Sequence, residues 1–518
     1  MEGGRKGTAA MLSIADSSVP EGTAPQAAPV AAPIADRRRV FGWMMFDWAS
    51  QPFYTLVLTF VFGPFFAVAA AHWFAAQGAG PEEAKAAAQS AWSRGQSVIG
   101  LAIALTAPIL GALADTAGRR MPWIAAFSAV YVVGAAGLWV MVPDGSALWL
   151  ALGFFGLAMI GAEFATIFTN ALLPGLGPPH RIGRISGAGF ALGYAGGVVS
   201  LLAMLLLFAE NDAGVTLLGN PPPFGLDPAE REGTRLVGPF AALWYVVFMV
   251  PFALWVREAP ADAARAGLGA AIADLRRSLA GAARRPSLAA WLAGSMLFRD
   301  ALVALYGFAG VYAALVLDWS TVQIGVFGIL GAVTAAAATW AGGLADERLG
   351  PKPVIVATIV LLMAACGLIV GMTREAILGV PLAEGSALPD RIMYALGAVV
   401  GGAGGVLQAA SRTMMVRHAD PARPTEAFAL YALSGKATAF LAPTAIGIAT
   451  AVTASPRLGL SPIVVLFGAG LALMAWVRAE GDVGLPPARI PPAAAIGTVL
   501  AVLAALALLL LLLNGASA

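Results

Sequence analysis

Charge is what this sequence has least of. Only 12% of its 518 residues are Asp, Glu, Lys or Arg, where a soluble globular chain carries about 25%. Hydrophobic residues make up 59% and the mean hydropathy is +0.80. That balance excludes an ordinary soluble domain with a solvated surface. There is one cysteine, Cys366, in an apolar run. An intrachain disulfide and a thiol metal site are therefore excluded. The three histidines, His72, His180 and His418, lie far apart, which argues against a histidine metal centre. No Gly-x-x-x-x-Gly-Lys-Ser/Thr loop for nucleotide phosphates occurs. No basic stripe with interleaved aromatics accompanies the net charge of +2, so a nucleic-acid partner is not expected. Clustered nucleophile and base motifs are missing too, so neither an enzyme nor a cofactor is expected. Residues 1–36 are rich in Ala, Pro, Gly and Ser. They lack the apolar core of a signal peptide and read as a disordered tail.

Long apolar runs fill the rest. A helical span needs about 20 apolar residues. Such runs lie near 41–70, 92–113, 121–142, 147–173, 186–208, 237–256, 288–316, 322–344, 353–372, 392–415, 426–452 and 461–478, and a thirteenth covers 493–513. The expected fold is an all-α polytopic membrane protein. The polar stretch 257–287 carries Arg265, Arg276, Arg277, Arg284 and Arg285. It divides a first six-helix bundle (37–256) from a second (288–480), and 481–518 would be a linker and an extra helix. With the N-terminus inside, 21 of the 31 lysines and arginines fall in the tail and the loops on the cytoplasmic side, against 7 on the other. That asymmetry favours a cytoplasmic N-terminus.

The two halves echo one another. Gly111-Ala112-Leu113-Ala114-Asp115 through Gly118-Arg119-Arg120 is repeated as Gly342-Gly343-Leu344-Ala345-Asp346 through Arg348. Gly189-Phe190-Ala191-Leu192-Gly193-Tyr194 is echoed by Ala427-Phe428-Ala429-Leu430-Tyr431, and Asp47 with Tyr54 by Asp300 with Tyr306. Repeated halves are a mark of secondary transporters. In the loop after span two, Gly111 would let two helices approach. Asp115 could meet a helix N-terminus or an arginine across the interface, and Arg119 and Arg120 would hold the loop inside. Gly111, Asp115, Gly118, Arg119, Arg120, Asp346 and Arg348 are thus the gating candidates.

Ionisable groups within spans are expensive and mark function by default. The acids are Asp47, Glu163 and Asp300; the bases are Arg299, Arg412 and Lys436. Asp47 or Glu163 is a candidate proton-coupling carboxylate, the plainer alternative being a salt bridge that holds helices together. Arg412 and Lys436 are candidates to face a solute carboxylate, or to snorkel to the interface. Trp48, Tyr54, Asn170, Tyr194, Tyr306, Gln408 and Tyr431 are candidates to line a cavity.

The segment Gly111–Arg120 resembles the signature loop of the major facilitator superfamily. Asp47-Trp48-Ala49-Ser50 followed by Tyr54 resembles the opening of its vacuolar-effluxer-like branch. Asn170-Ala171-Leu172-Leu173-Pro174, Gly189–Gly197, Gln408-Ala409-Ala410-Ser411-Arg412 and Leu433–Thr438 fall where that branch has similar motifs. Here Gln51-Pro52 and Arg299-Asp300-Ala301 depart from the branch's pattern. The resemblance implies two pseudo-symmetric six-helix bundles rocking about a midplane site. It also implies a small-molecule solute, amino acids in view of the fungal members, and protons or another ion as the coupling partner. A monomer in a lipid bilayer, at a bacterial inner membrane, is expected. The competing reading is a non-transporting sensor or scaffold on the same fold.

Overall fold

The computed structural model describes residues 36–485 except 212, 259–279, 282–283, 320, 438–440 and 454. The expected tail, most of the 257–287 linker, the thirteenth helix at 493–513 and the side chain of Lys436 lie outside the described residues.

Eleven helical segments among the described residues are long and apolar enough to cross a membrane. They are spans one to ten and span twelve: Arg37–Ala76, Glu83–Asp115, Met121–Val140, Leu148–Asn170, Pro179–Leu207, Glu232–Trp255, Pro286–Gly310, Gln323–Leu349, Pro351–Val370, Leu388–His418 and Arg457–Trp476. Span eleven comprises two helices, Pro424–Ala437 and Leu441–Thr453. Unbroken helix is what apolar solvent demands, because every backbone N–H and C=O must find its partner inside the segment. The outward faces keep large apolar side chains such as Leu105, Val303 and Leu361 exposed, where lipid would meet them.

Two elements differ from simple rods. Span two belongs to a helix of 37 residues, Pro81–Ala117, and so begins well before the apolar run at 92. Its end is set by Gly118, whose φ of 64° is the left-handed geometry that terminates helices. Span one is jointed. An α-helix runs over Arg37–Pro52, a π-helix over Phe53–Phe60, and a second α-helix over Phe62–Ala76. Pro52 has no N–H to donate, and its ring crowds the preceding turn. Just beyond it the ladder widens: Val61 N–H donates to Leu56 C=O at 2.9 Å, and the Thr59 hydroxyl donates to Tyr54 C=O at 2.8 Å. Val61 leaves helical geometry, at φ −122° and ψ −66°. Stretches of π-helix are rare and gather at functional sites.

Small residues let the helices that meet near the centre touch backbone to backbone. A Cβ placed on Gly187 of span five would stand 2.6 Å from Gly343 Cα in span eight. One on Gly111 of span two would stand 2.8 Å from Ala429 Cβ in span eleven. The end of the bundle at which the chain enters span one, the near end, is where these two crossings lie.

Candidate functional site

Arg412, on span ten, is the centre of the buried polar network. Only 3% of it is exposed, so it does not snorkel to an interface. All three guanidinium nitrogens donate. Nη1 reaches Asp47 Oδ2 at 3.0 Å and Asn170 Oδ1 at 3.2 Å. Nη2 reaches Asp47 Oδ2 at 3.1 Å and the Ser186 carbonyl at 2.8 Å. Nε donates to Ser186 Oγ at 3.0 Å, and that hydroxyl donates onward to the Ala409 carbonyl at 2.9 Å. The guanidinium also lies 4.7 Å from the Trp43 ring centre and 4.2 Å from that of Phe190. Trp43 is itself pinned by its indole N–H, which donates to the Thr169 carbonyl at 2.8 Å. Four spans thus converge on one cation: one, four, five and ten. Glycine makes the approach feasible, since a Cβ on Gly189 would fall 2.6 Å from Asp47 Oδ2.

Further toward the middle of the bundle, Gln408 Nε2 donates to Tyr194 Oη at 2.9 Å. Tyr306 interacts with both, which joins spans five, seven and ten around a polar cluster. Tyr54 lies beside Glu163 and Thr166 of span four. Arg299 does not reach Asp47: it stacks on Tyr431 at 4.4 Å and donates to the Tyr431 carbonyl at 3.1 Å. Asp300 is buried in span seven. Trp48 is turned away from this cluster. It stacks on Trp244, with ring centres 5.8 Å apart, and meets Phe248 edge-on, so it packs span one against span six.

At the near end, Asp115 caps span eleven. Its Oδ2 accepts from Glu426 N at 2.8 Å and its Oδ1 from Thr425 N at 3.3 Å. An anion at a helix N-terminus gains from the unpaired N–H groups and the dipole there. Arg120 ties the same point together, donating to Asp115 Oδ1 at 2.9 Å and to Thr425 Oγ1 at 2.7 Å. Glu258 accepts from the Arg120 and Met121 backbone N–H groups at 2.6 and 2.8 Å. In the second copy, Asp346 is buried against Gly183 of span five, while Glu347 faces Arg181 at 3.8 Å and Arg184 at 3.6 Å. Arg119 and Arg348 are exposed and make no ion pair among the described residues. The second arginine of the first loop carries the link, and in the second copy Glu347 does.

Several members were not apparent from sequence: Ser186, Trp43, Phe190, Thr425, Glu426 and Glu258. Ser186 and Thr425 contribute partly through backbone groups, which leave no mark on residue type. Glu258 closes span six, where an acid beside Arg257 reads as ordinary loop charge.

Solved structures with this architecture define the class. The E. coli fucose:proton symporter FucP matches with a TM-score of 0.59 at 15% identity, over 85% of this chain and 98% of that one. A bacterial homologue of the iron transporter ferroportin, in an outward-facing state, gives 0.58 at 15% identity over the same shares, 85% and 98%. The fold is that of the major facilitator superfamily of membrane transporters. Within it, the model of the vacuole effluxer Atg22-like family matches residues 35–482; the chain belongs to that family. The uncharacterized MFS-type transporter YxiO of Bacillus subtilis is 24% identical over 453 residues, covering 85% of this chain and 94% of that protein. Autophagy-related protein 22-1 of Aspergillus clavatus is 26% identical over 317 residues, covering 57% of this chain. The match spans about half the length of that fungal relative, 49%.

Proposed function

We propose that this chain moves a small polar solute by alternating access across a bacterial cytoplasmic membrane, with its N-terminus inside and protons as the coupling ion. Amino acids are the first solutes to test. The observation that carries the reading is the Asp47–Arg412 pair, which joins span one to span ten through a buried, fully hydrogen-bonded contact. Opening the near end requires that pair to part. A carboxylate holds Arg412 with charge and two acceptor oxygens; a protonated acid holds it far less well. Proton binding at Asp47 would therefore favour release of the near end, and a ligand that favours one state shifts the equilibrium by its differential affinity. Tyr194, Gln408 and Tyr306 supply hydroxyl and amide groups for the solute, flanked by Tyr54, Asn170 and Tyr431. Asp115 with Arg120, and Asp346 with its neighbours, would latch the closed cytoplasmic side.

The test uses purified protein in proteoliposomes under an imposed pH gradient, with labelled amino acids as the first solutes. Gradient-dependent flux is expected from the natural chain, and flux without gradient dependence from Asp47→Asn. Flux from Asp47→Asn with undiminished proton dependence overturns the coupling role. Absence of flux across amino acids, sugars and peptides favours the sensor or scaffold instead.

A further inference from the structure

The widened stretch of span one ends on Phe60, and this ring is placed unlike its neighbours. Phe53 meets Tyr54, Tyr131 and Phe155, and Phe62 and Phe66 both meet Trp92. Phe60 makes no ring contact among the described residues and is 39% exposed. It reaches span eight instead, at a residue without a side chain. A Cβ on Gly328 would stand 3.4 Å from two carbons of the Phe60 ring. The contact joins the first six spans to the last six. Dispersion alone holds a ring against bare backbone, so no hydrogen bond is broken when the ring leaves.

Two spaces lie on either side of that ring. One is a void of about 30 Å³, walled by Thr55 of span one, Tyr194 and Val198 of span five, and Gly328 and Ala332 of span eight. The other is a cavity of about 740 Å³, walled by span one from Val61 to His72 and by span five from Leu205. Phe60 is the one described residue that lines both. Spans one and five both run from the near end to the far end, and the order along them agrees. Thr55 precedes Phe60 and Phe65 on span one; Tyr194 and Val198 precede Leu205 on span five. The void therefore lies toward the middle, beside the cluster of Tyr194, Gln408 and Tyr306, and the cavity lies toward the far end. A water molecule needs roughly 10–15 Å³ of such space. The void has room for about two waters and for no organic solute.

We infer that Phe60 is the far-side gate of the central cluster: its ring on Gly328 closes the path from the far-end cavity to Tyr194, and its displacement opens that path. As a gate for a transported solute it rests on the transporter reading above; as a barrier to a water-soluble reagent it stands without it.

Accessibility of a cysteine behind the ring tests this. Val198→Cys, in a Cys366→Ala background, places a thiol on the wall of the void. The probe is a methanethiosulfonate bearing a trimethylammonium group, which does not cross lipid and is larger than the void. It is added to intact cells and, separately, to inverted membrane vesicles, so that each face is reached alone. From the face that carries the far end, labelling is expected to be at least tenfold faster in Phe60→Ala than with Phe60 in place, and from the other face unchanged. Phe60→Tyr should keep the protection. Val68→Ala, in the wall of the large cavity only, should not alter the rate. Thermal melting verifies folding, and Phe60→Leu, with an intermediate rate expected, keeps the test decisive if the alanine variant does not fold. Labelling indifferent to the side chain at position 60, equal acceleration from both faces, or the same acceleration in Val68→Ala would each overturn the gate. Flux of labelled amino acids in proteoliposomes then separates the two readings. Fast labelling of Phe60→Ala in a chain that moves no solute would sink the transporter reading and leave the barrier standing. Flux in the natural chain together with labelling indifferent to Phe60 would sink the gate and leave the transporter.

Discussion

Asp47 and Arg412 stand 365 residues apart in the chain and 3.0 Å apart in the fold. Removing one partner of a buried pair strands the other and costs about 3–5 kcal/mol, whereas replacing both with apolar residues is often neutral. Arg412→Met alone is therefore expected to lower the thermal midpoint sharply. The double variant Asp47→Leu with Arg412→Met should recover most of that loss while remaining inactive in flux assays. Melting curves of the two single variants and the double variant check the order.

The cap on span eleven predicts a change in state populations. Asp115→Asn removes the negative charge from the helix N-terminus and one of the two strong acceptors. A charge at that position contributes about 0.3–1 kcal/mol, up to about 2 when partly buried. Ala429→Cys, in a Cys366→Ala background, reports the opening, because Ala429 faces Gly111 across the two helices. Maleimide labelling at position 429 should become roughly two- to tenfold faster when Asp115→Asn is added.

The crossing of spans five and eight has no room for a side chain. Gly187→Val would place its Cβ 2.6 Å from Gly343 Cα and 2.8 Å from the Thr339 carbonyl. Backbone cannot yield as a rotamer can, so near-end closure should fail and flux should fall at least tenfold, the equivalent of about 1.4 kcal/mol. Gly153→Val, in span four, is the control: nothing lies within 4 Å of its added Cβ. It should keep both flux and melting midpoint.

Glu210, in the loop after span five, gives a pH prediction. Burial raises its carboxyl pKa above the ordinary value. The folded chain thus binds this proton more tightly than the unfolded chain. Stability linked to it is complete below the unfolded pKa and is lost as pH rises through the folded one. Glu210→Gln should be at least as stable as the natural chain at neutral pH. The difference in melting midpoint between the two should shrink as pH falls into the ordinary carboxyl range. A difference that stays constant from pH 4 to pH 8 would show that the group is not linked to folding.

The spans were legible because lipid solvent imposes a single pattern, about 20 apolar residues in a row. The rare charges were legible for the same reason: Asp47 and Arg412 were chosen as ionisable groups within spans, whereas Asn170 came from the family-like motif Asn170–Pro174. Who pairs with whom was not. Arg299 and Arg412 look alike in sequence, yet Arg299 stacks on Tyr431 while Arg412 takes Asp47. That choice depends on how spans one, seven, ten and eleven rotate against each other, which side-chain identity does not encode. The widened ladder at Phe53–Phe60 was equally hidden, since α- and π-helix serve an apolar run alike. Ser186 was passed over because a serine in a glycine-rich helix looks like packing; its acceptor role appears only once Arg412 lies beside it.

The widened ladder in span one also fixes an angle. Successive residues of an α-helix are set about 100° apart around its axis. If the bonds of Phe53–Phe60 shortened from five residues to four, the helix Phe62–Ala76 would turn through an angle of that order. Phe60 would swing off Gly328 while the segment Arg37–Pro52, with Asp47, kept its place. One hydrogen-bond register would be exchanged for another, with no group left unpaired in lipid. Span one can thus serve as a rotary joint, anchored at the arginine and turning at the phenylalanine.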